Sequence, residues 1–169
     1  MRILAIDPSL NGTGLCYPDG KTANAPKTAL KGPLRLWKLR QDLRDTLDSA
    51  RPDLVVLEDY SYGSKGRSVF QIAEWGGVLR LTLHEMGFPV AFVPPTSLKA
   101  WATGKGNANK ATMVSEITKR SGQTFATDDQ ADAWGLWAMA SQHYGQPVVK
   151  MPQEREKALA KIQWPEVKK

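Results

Sequence analysis

The chain has 169 residues, 41% of them apolar and 8% aromatic, which suits one domain with a substantial core and leaves no room for a second catalytic domain. Its 23 Lys and Arg against 17 Asp and Glu leave a net charge of +6 and a pI near 9.5, a balance that favours a polyanionic partner such as nucleic acid. Cys16 is the sole cysteine, which excludes a disulfide framework and a cysteine-based zinc site. No apolar run approaches the ~20 residues of a membrane span, and MRILAID carries no export pattern, so the expectation is a cytoplasmic protein with no membrane association.

In chain order, residues 2–6 form an apolar strand ending in Asp7-Pro8, and residues 13–17 after Asn11-Gly12 read as a second strand folded back on it. A weaker strand is expected around 22–30. Leu36, Leu39, Leu43 and Leu47 then recur at helical spacing up to the breaker Arg51-Pro52. Leu54 to Leu57 is a continuous apolar run, the pattern of a strand buried on both faces, and it too ends in an acid, Glu58. Residues 60–68 make a Gly-rich, basic, aromatic loop. A second helix follows over 69–86, then a strand over Val90 to Val93.

Pro94-Pro95-Thr96 opens a short helix, and a Gly-, Asn- and Lys-rich loop leads to a helix over 111–120. Thr127 and Gln130 fit a capping box at the start of a helix that runs to about His143. A single domain over 1–145 is thus followed by a basic, charged tail over 146–169, with a short helix expected in 153–163. Trp37, Trp75, Trp101, Trp134 and Trp137 are core candidates, and His84 and His143 suit the surface. Strands and helices alternating after a hairpin predict a mixed α/β sheet of about five strands flanked by helices.

In an open α/β sheet, reactive groups gather just beyond the C-terminal ends of the central strands, where Asp7 and Glu58 both lie. Acids crowded there without a cation repel one another and hold on to protons. Asp129 and Asp132, three apart, project from one face of the last helix and can supply further oxygen ligands. Acids in a first turn also complement the helix dipole, so Asp128 and Asp129 carry both readings. Oxygen donors without paired His or Cys suit Mg²⁺ or Mn²⁺ better than zinc.

These residues, in this order, resemble the RuvC family of Holliday junction resolvases: a strand ending in Asp7 with Thr13-Gly14 following, a strand ending in Glu58 before a basic aromatic loop, and a closing Asp129-Gln130-Ala131-Asp132-Ala133. The resemblance spans roughly residues 1–143. It implies an RNase H-like fold in which Asp7, Glu58, Asp129 and Asp132 bind two divalent ions per active site. Lys99 and Lys110 match the family's two functional lysines in order and spacing. At the position of the family's aromatic wedge this chain has Ser61, flanked by Tyr60 and Tyr62, and Ser9 stands where family members often have Gly.

The activity this resemblance implies is paired symmetric nicking of four-way junctions by phosphodiester hydrolysis. Catalysis would rest on the four acids with Lys99 and Lys110. Tyr60, Tyr62, Lys65, Arg67, Lys99, Lys105, Lys110 and Lys119 would contact DNA, the bases by stacking and the backbone by charge. A homodimer through the helix bearing Gly76-Gly77 would present two sites to a twofold junction. A flap or fork nuclease, or a non-catalytic branched-DNA binder, are the alternatives. The setting would be a bacterial or phage-infected cell.

Overall fold

The computed structural model describes residues 1–10, 12–61, 66 and 68–167, with nothing stated of the Ser68 side chain. The elements run β1 (Ile3–Asp7), β2 (Gly14–Cys16), β3 (Thr22–Asn24), α1 (Gly32–Ala50), β4 (Leu54–Glu58), α2 (Ser68–Glu85), β5 (Val90–Val93), α3 (Pro95–Thr103), α4 (Lys110–Ser121) and α5 (Asp128–His143), then a 3₁₀ segment over Gln153–Lys161. The sheet is mixed and five-stranded, in the order β3-β2-β1-β4-β5, with β1, β4 and β5 parallel and the β1-β2-β3 meander antiparallel.

The two apolar runs that end on acids become the central neighbours, β1 and β4, paired Ile3 to Leu54 through Ile6 to Leu57. Their side chains alternate between the faces. Leu4, Ile6, Val55 and Leu57 pack against Leu39, Leu43 and Leu47 of α1 and Trp75, Leu79 and Leu83 of α2. Ile3, Ala5, Leu54 and Val56 pack on the other face against α3, α4 and α5. Continuing the same register and alternation by one residue sets Asp7 beside Glu58 and turns both carboxylates toward α5.

α5 lies across the sheet, with residues 131–136 all buried. Gly135 admits Leu98 of α3 and Ile117 of α4, which would lie 2.8 and 3.0 Å from any Cβ there. The apolar stripe of α1 ends where Arg51 adopts a left-handed φ of 43° and its N–H closes on the Leu47 carbonyl.

Some expectations are corrected. The strand expected over 22–30 is only Thr22–Asn24. Ala25 donates the last ladder bond, to the Thr13 carbonyl 2.8 Å away, and Pro26 has no N–H to continue it. Trp37 is not a core residue: it is 58% exposed on α1, at the edge of the leucine stripe. Thr127 does cap α5, accepting from the Gln130 N–H at 3.2 Å, but the reciprocal bond is shifted by one residue, with Gln130 Oε1 accepting from the Ala126 N–H at 3.1 Å.

The segment after residue 145 folds back onto the domain. Ala158, Leu159 and Ile162 are buried in the same core as α3 and α5, and Arg155 donates to the Trp101 carbonyl at 3.1 Å. Trp164 stacks on His143 with ring centroids 4.6 Å apart. Among the described residues, no helix is long and apolar enough to cross a membrane.

Candidate active site

Asp7, Glu58 and Asp132 each offer a carboxylate oxygen, and these atoms all lie within 4.8 Å of one another. β1 and β4 deliver the first two at the same strand end. α5 delivers the third, since Asp132 lies one helical turn in from Thr127 and points down at the sheet. Asp7 and Asp132 are only 4% and 1% exposed, so the cluster sits in a low-dielectric floor where like charges repel strongly.

The chemistry of such a floor is visible in the proton affinities. Burial, then the neighbouring Glu58 and Asp132, holds the Asp7 carboxyl well above the usual carboxylate range. Burial likewise pushes Glu58 up to about 7, and the hydrogen bond between the two side chains makes them share a proton. Asp132 is raised as well, by burial, although Lys110 opposes the shift.

Lys110, in the first turn of α4, reaches into this cluster. Its ammonium pairs directly with Asp132 Oδ2 and lies 3.6 Å from Asp128. Burial disfavours that ammonium, yet Asp132, Asp7 and Asp128 outweigh it and raise its proton affinity. Asn109 presents the lysine by capping α4, accepting from the Thr112 N–H at 2.8 Å. Lys99 of α3 is close enough to act electrostatically on Glu58.

Asp129 stands at the rim. It is half-buried, within hydrogen-bond reach of Asp7, and outside the three-carboxylate cluster. Burial, then the adjacent Asp128, raises its pKa. Asp128 itself is exposed.

The residues fit a divalent cation. Asp132 Oδ1 is buried without a hydrogen-bond partner, an expensive state for a carboxylate oxygen unless something positive completes it. The grouped donors are all oxygen, the set that hard cations prefer.

The remaining expected DNA contacts divide. Lys105 is exposed on the loop after α3, and Lys119 is exposed in the last turn of α4, about 13 Å along that helix from Lys110. Tyr60 is packed within the chain. Its ring fills the space left by Gly76, its hydroxyl donates to the Ala73 carbonyl at 3.3 Å, and Arg80 lies 4.3 Å over the ring centroid. Arg80 also pairs with Asp59 at 2.6 Å, fixing the chain just beyond Glu58. Beside Glu58 opens a mostly apolar pocket of about 400 Å³, between Pro8 and the α2 residues Ile72 and Ala73. Tyr62, Lys65 and Arg67 lie outside the described residues.

Sequence reasoning missed two residues that shape the site. Gly14 touches α5 so closely that a Cβ there would stand 2.1 Å from the Asp129 carbonyl oxygen. Asn24 bonds to the α5 N-terminus at Thr127 and Gln130. The adjacency of Thr13-Gly14 to the first acid was the one signal available for the former, and a lone Asn after a weak strand gave none for the latter.

Comparison with known proteins gives the family and the fold. The family model described as crossover junction endodeoxyribonuclease RuvC matches residues 3–143. The RuvC protein of Rhodococcus opacus is 29% identical over 171 aligned positions, covering 95% of this chain and 90% of its own length. That of Syntrophomonas wolfei is 31% identical, covering 79% and 84%. Among solved structures, Thermus thermophilus RuvC in complex with Holliday junction substrate superposes with a TM-score of 0.67 at 19% identity, over 86% of this chain and 95% of that one. That likeness shows the fold, which is RNase H-like. With the family model spanning most of its length, the chain belongs to the RuvC family of crossover junction endodeoxyribonucleases.

Proposed function

We propose that this protein resolves four-way DNA junctions by paired symmetric nicks, through hydrolysis that depends on two Mg²⁺ or Mn²⁺ ions per site. The observation that carries the reading is the carboxylate triad of buried Asp7 and Asp132 with half-buried Glu58, and its unsatisfied Asp132 oxygen, in a chain of this family. Bound ions would supply an activated water and offset charge on the phosphate and leaving 3′ oxygen. Asp7 with Asp129 and Asp132 would hold the ion on the attacking side, and Glu58 with Asp7 the one on the leaving side.

Lys110 has a distinct part in this reading. Its ammonium is the counter-charge to Asp132, and with an ion in that role it would be free to offset charge on the scissile phosphate. Lys99 adds positive charge on the Glu58 side, and Lys105 and Lys119 bind backbone phosphates without reading sequence. The nuclease unit is residues 1–145, with the basic 146–169 segment as a brace on α3.

The homodimer reading rests on α2, whose outer face exposes Phe70 at 75% and Leu81 at 56%, with open space over Gly77 between them. An unpartnered stripe of that size is costly in water and suits a second copy of the same helix. Two sites related by a twofold axis then meet two strands of a twofold junction. The cellular setting is the cytoplasm of a bacterial or phage-infected cell.

The test compares wild-type and Asp7→Asn protein on a labelled synthetic four-way junction with Mg²⁺ or chelator, mapping cuts on every strand. Symmetric nicks, absent with chelator and in the variant while junction binding persists, are expected. Binding by wild type without metal-dependent cutting would replace the resolvase reading with that of a branched-DNA binder, and preferential cutting of flaps or forks would replace the substrate.

A further inference from the structure

We infer that Asn24 is a positioning residue for the metal centre: its side chain ties the β1–β2 turn to the first turn of α5, and so sets Asp129 and Asp132 relative to Asp7. The inference rests on the metal-dependent reading above. The side-chain hydrogen bonds of Asn24 go to Gly12, Thr127 and Gln130.

The geometry is specific. Asn24 ends β3 and pairs with Gly14 of β2. Its Nδ2 donates to the Gly12 carbonyl at 2.6 Å, in the connection that leaves Asp7. Its Oδ1 accepts from Thr127 Oγ1 at 3.1 Å and from Gln130 Nε2 at 2.8 Å, both at the N-terminus of α5. Thr127 and Gln130 thus sit on either side of Asp129 in sequence and within about a turn and a half of Asp132.

The proton arrangement in this network admits one solution. The Thr127 hydroxyl accepts from the Gln130 N–H and gives its hydrogen to Asn24 Oδ1, which as an amide oxygen can only accept. Gln130 must direct its amide nitrogen at Asn24, because its oxygen accepts from the Ala126 N–H at 3.1 Å and faces the Thr22 hydroxyl at 3.4 Å. Asn24 must then present oxygen to α5 and nitrogen to Gly12. Only an amide of this length supplies an acceptor toward one element and a donor toward the other.

The need for such a tie follows from how the acids arrive. Asp7 and Glu58 are adjacent through a backbone ladder. Asp132 is brought to them from a helix that begins 70 residues beyond Glu58, and its placement relative to the ladder depends on side chains. Gly14 sets how closely α5 approaches, by contact with the Asp129 carbonyl, and Asn24 resists sliding and rotation of that first turn. Outer partners of this kind alter metal affinity by roughly 10–100-fold when removed, because the ligands are no longer held at the coordinating distance.

The experiment uses the full chain and two readouts: Mn²⁺ affinity by calorimetry without DNA, and junction cleavage as a function of Mg²⁺ concentration. For Asn24→Ala, Mn²⁺ affinity should fall about tenfold and the half-saturating Mg²⁺ concentration rise to match, while the rate at saturating Mg²⁺ stays within about threefold of wild type. Gln130→Glu removes the Nε2 donor and keeps the acceptor for Ala126, so it carries the same expectation in a gentler form. The double variant should show strong non-additivity in Mn²⁺ affinity. Leu43→Ala, a cavity on the opposite face of the sheet, is the stability control and should lower Tm with no change in Mn²⁺ affinity. If the Asn24 and Gln130 variants lower Tm like that control but bind Mn²⁺ as tightly as wild type, Asn24 is merely structural and the inference is overturned. If wild type itself binds no Mn²⁺, the metal-dependent reading falls, and this inference with it.

Discussion

The two halves of the site are assembled in different ways. Asp7 and Glu58 end adjacent parallel strands, so backbone hydrogen bonds and the two-residue alternation place both carboxylates together on the α5 side. Asp129 and Asp132 ride on a helix held against the sheet by a missing side chain at Gly14, a cap at Thr127 and the Asn24 amide. A ladder tolerates many side-chain changes, whereas the first turn of a helix packed through its side chains shifts when one of those contacts is lost. The helix half is therefore where small substitutions should disturb chemistry without abolishing the fold.

The largest expected effect separates the two helix acids from each other. Asp132→Asn, which neutralises the buried carboxylate with the unsatisfied oxygen, should lower junction cleavage by roughly a thousandfold, the scale on which losing a preorganised electrostatic group costs a reaction. Asp129→Asn, at the rim, should cost nearer tenfold. Single-turnover cleavage at saturating protein measures both, and equal losses would show that Asp129 holds the ion as firmly as Asp132.

Gly14→Ala breaks the seating of the helix directly. A methyl group 2.1 Å from the Asp129 carbonyl forces α5 away from β2, and the cost should reach about 2 kcal/mol or more in stability, read by denaturant unfolding. The same variant should bind Mn²⁺ more weakly than Gly135→Ala, whose neighbours are flexible Leu98 and Ile117 side-chain ends.

The strand half makes its own prediction through pH. Glu58 is raised from 4.5 to about 7, so the folded, metal-free protein holds a proton that the unfolded chain has released. Stability from this group is therefore complete below about pH 4.5 and is lost as pH rises to about 7, by an amount of order 1–3 kcal/mol. Unfolding of metal-free protein across that window measures it. Asp7→Asn should flatten the dependence, and Mg²⁺ should stabilise the wild type more at pH 8 than at pH 6 because protons and the ion compete for the same oxygens.

The smallest effect concerns Lys110, which links the halves. Lys110→Met removes the ammonium now paired with Asp132, so Mn²⁺ should bind several-fold more tightly even as cleavage slows. Weaker Mn²⁺ binding in this variant would show that the lysine helps to hold the acids in place for the ion.

Much of this was legible in the chain itself, for reasons that differ by residue. Asp7 and Glu58 could be read because each terminates an apolar run, a local pattern with one structural meaning in a buried parallel strand. Asp129 and Asp132 could be read from their three-residue spacing after a capping threonine. What escaped was long-range. The contact of Asn24 with Gln130 joins positions 106 apart, and no periodicity in either segment encodes it. The seat of the Tyr60 ring against Gly76 and Arg80, both on α2, is likewise a contact that no local pattern encodes. Trp37 looked like core because it follows the leucine stripe by one position, and a helix turns about 100° over that step.

The most direct test of the central claim is anomalous diffraction from crystals grown with Mn²⁺. The account predicts two manganese ions held among Asp7, Glu58, Asp129 and Asp132, with the Lys110 ammonium withdrawn from Asp132. Crystals in which manganese avoids these acids while Lys110 remains paired with Asp132 would contradict it.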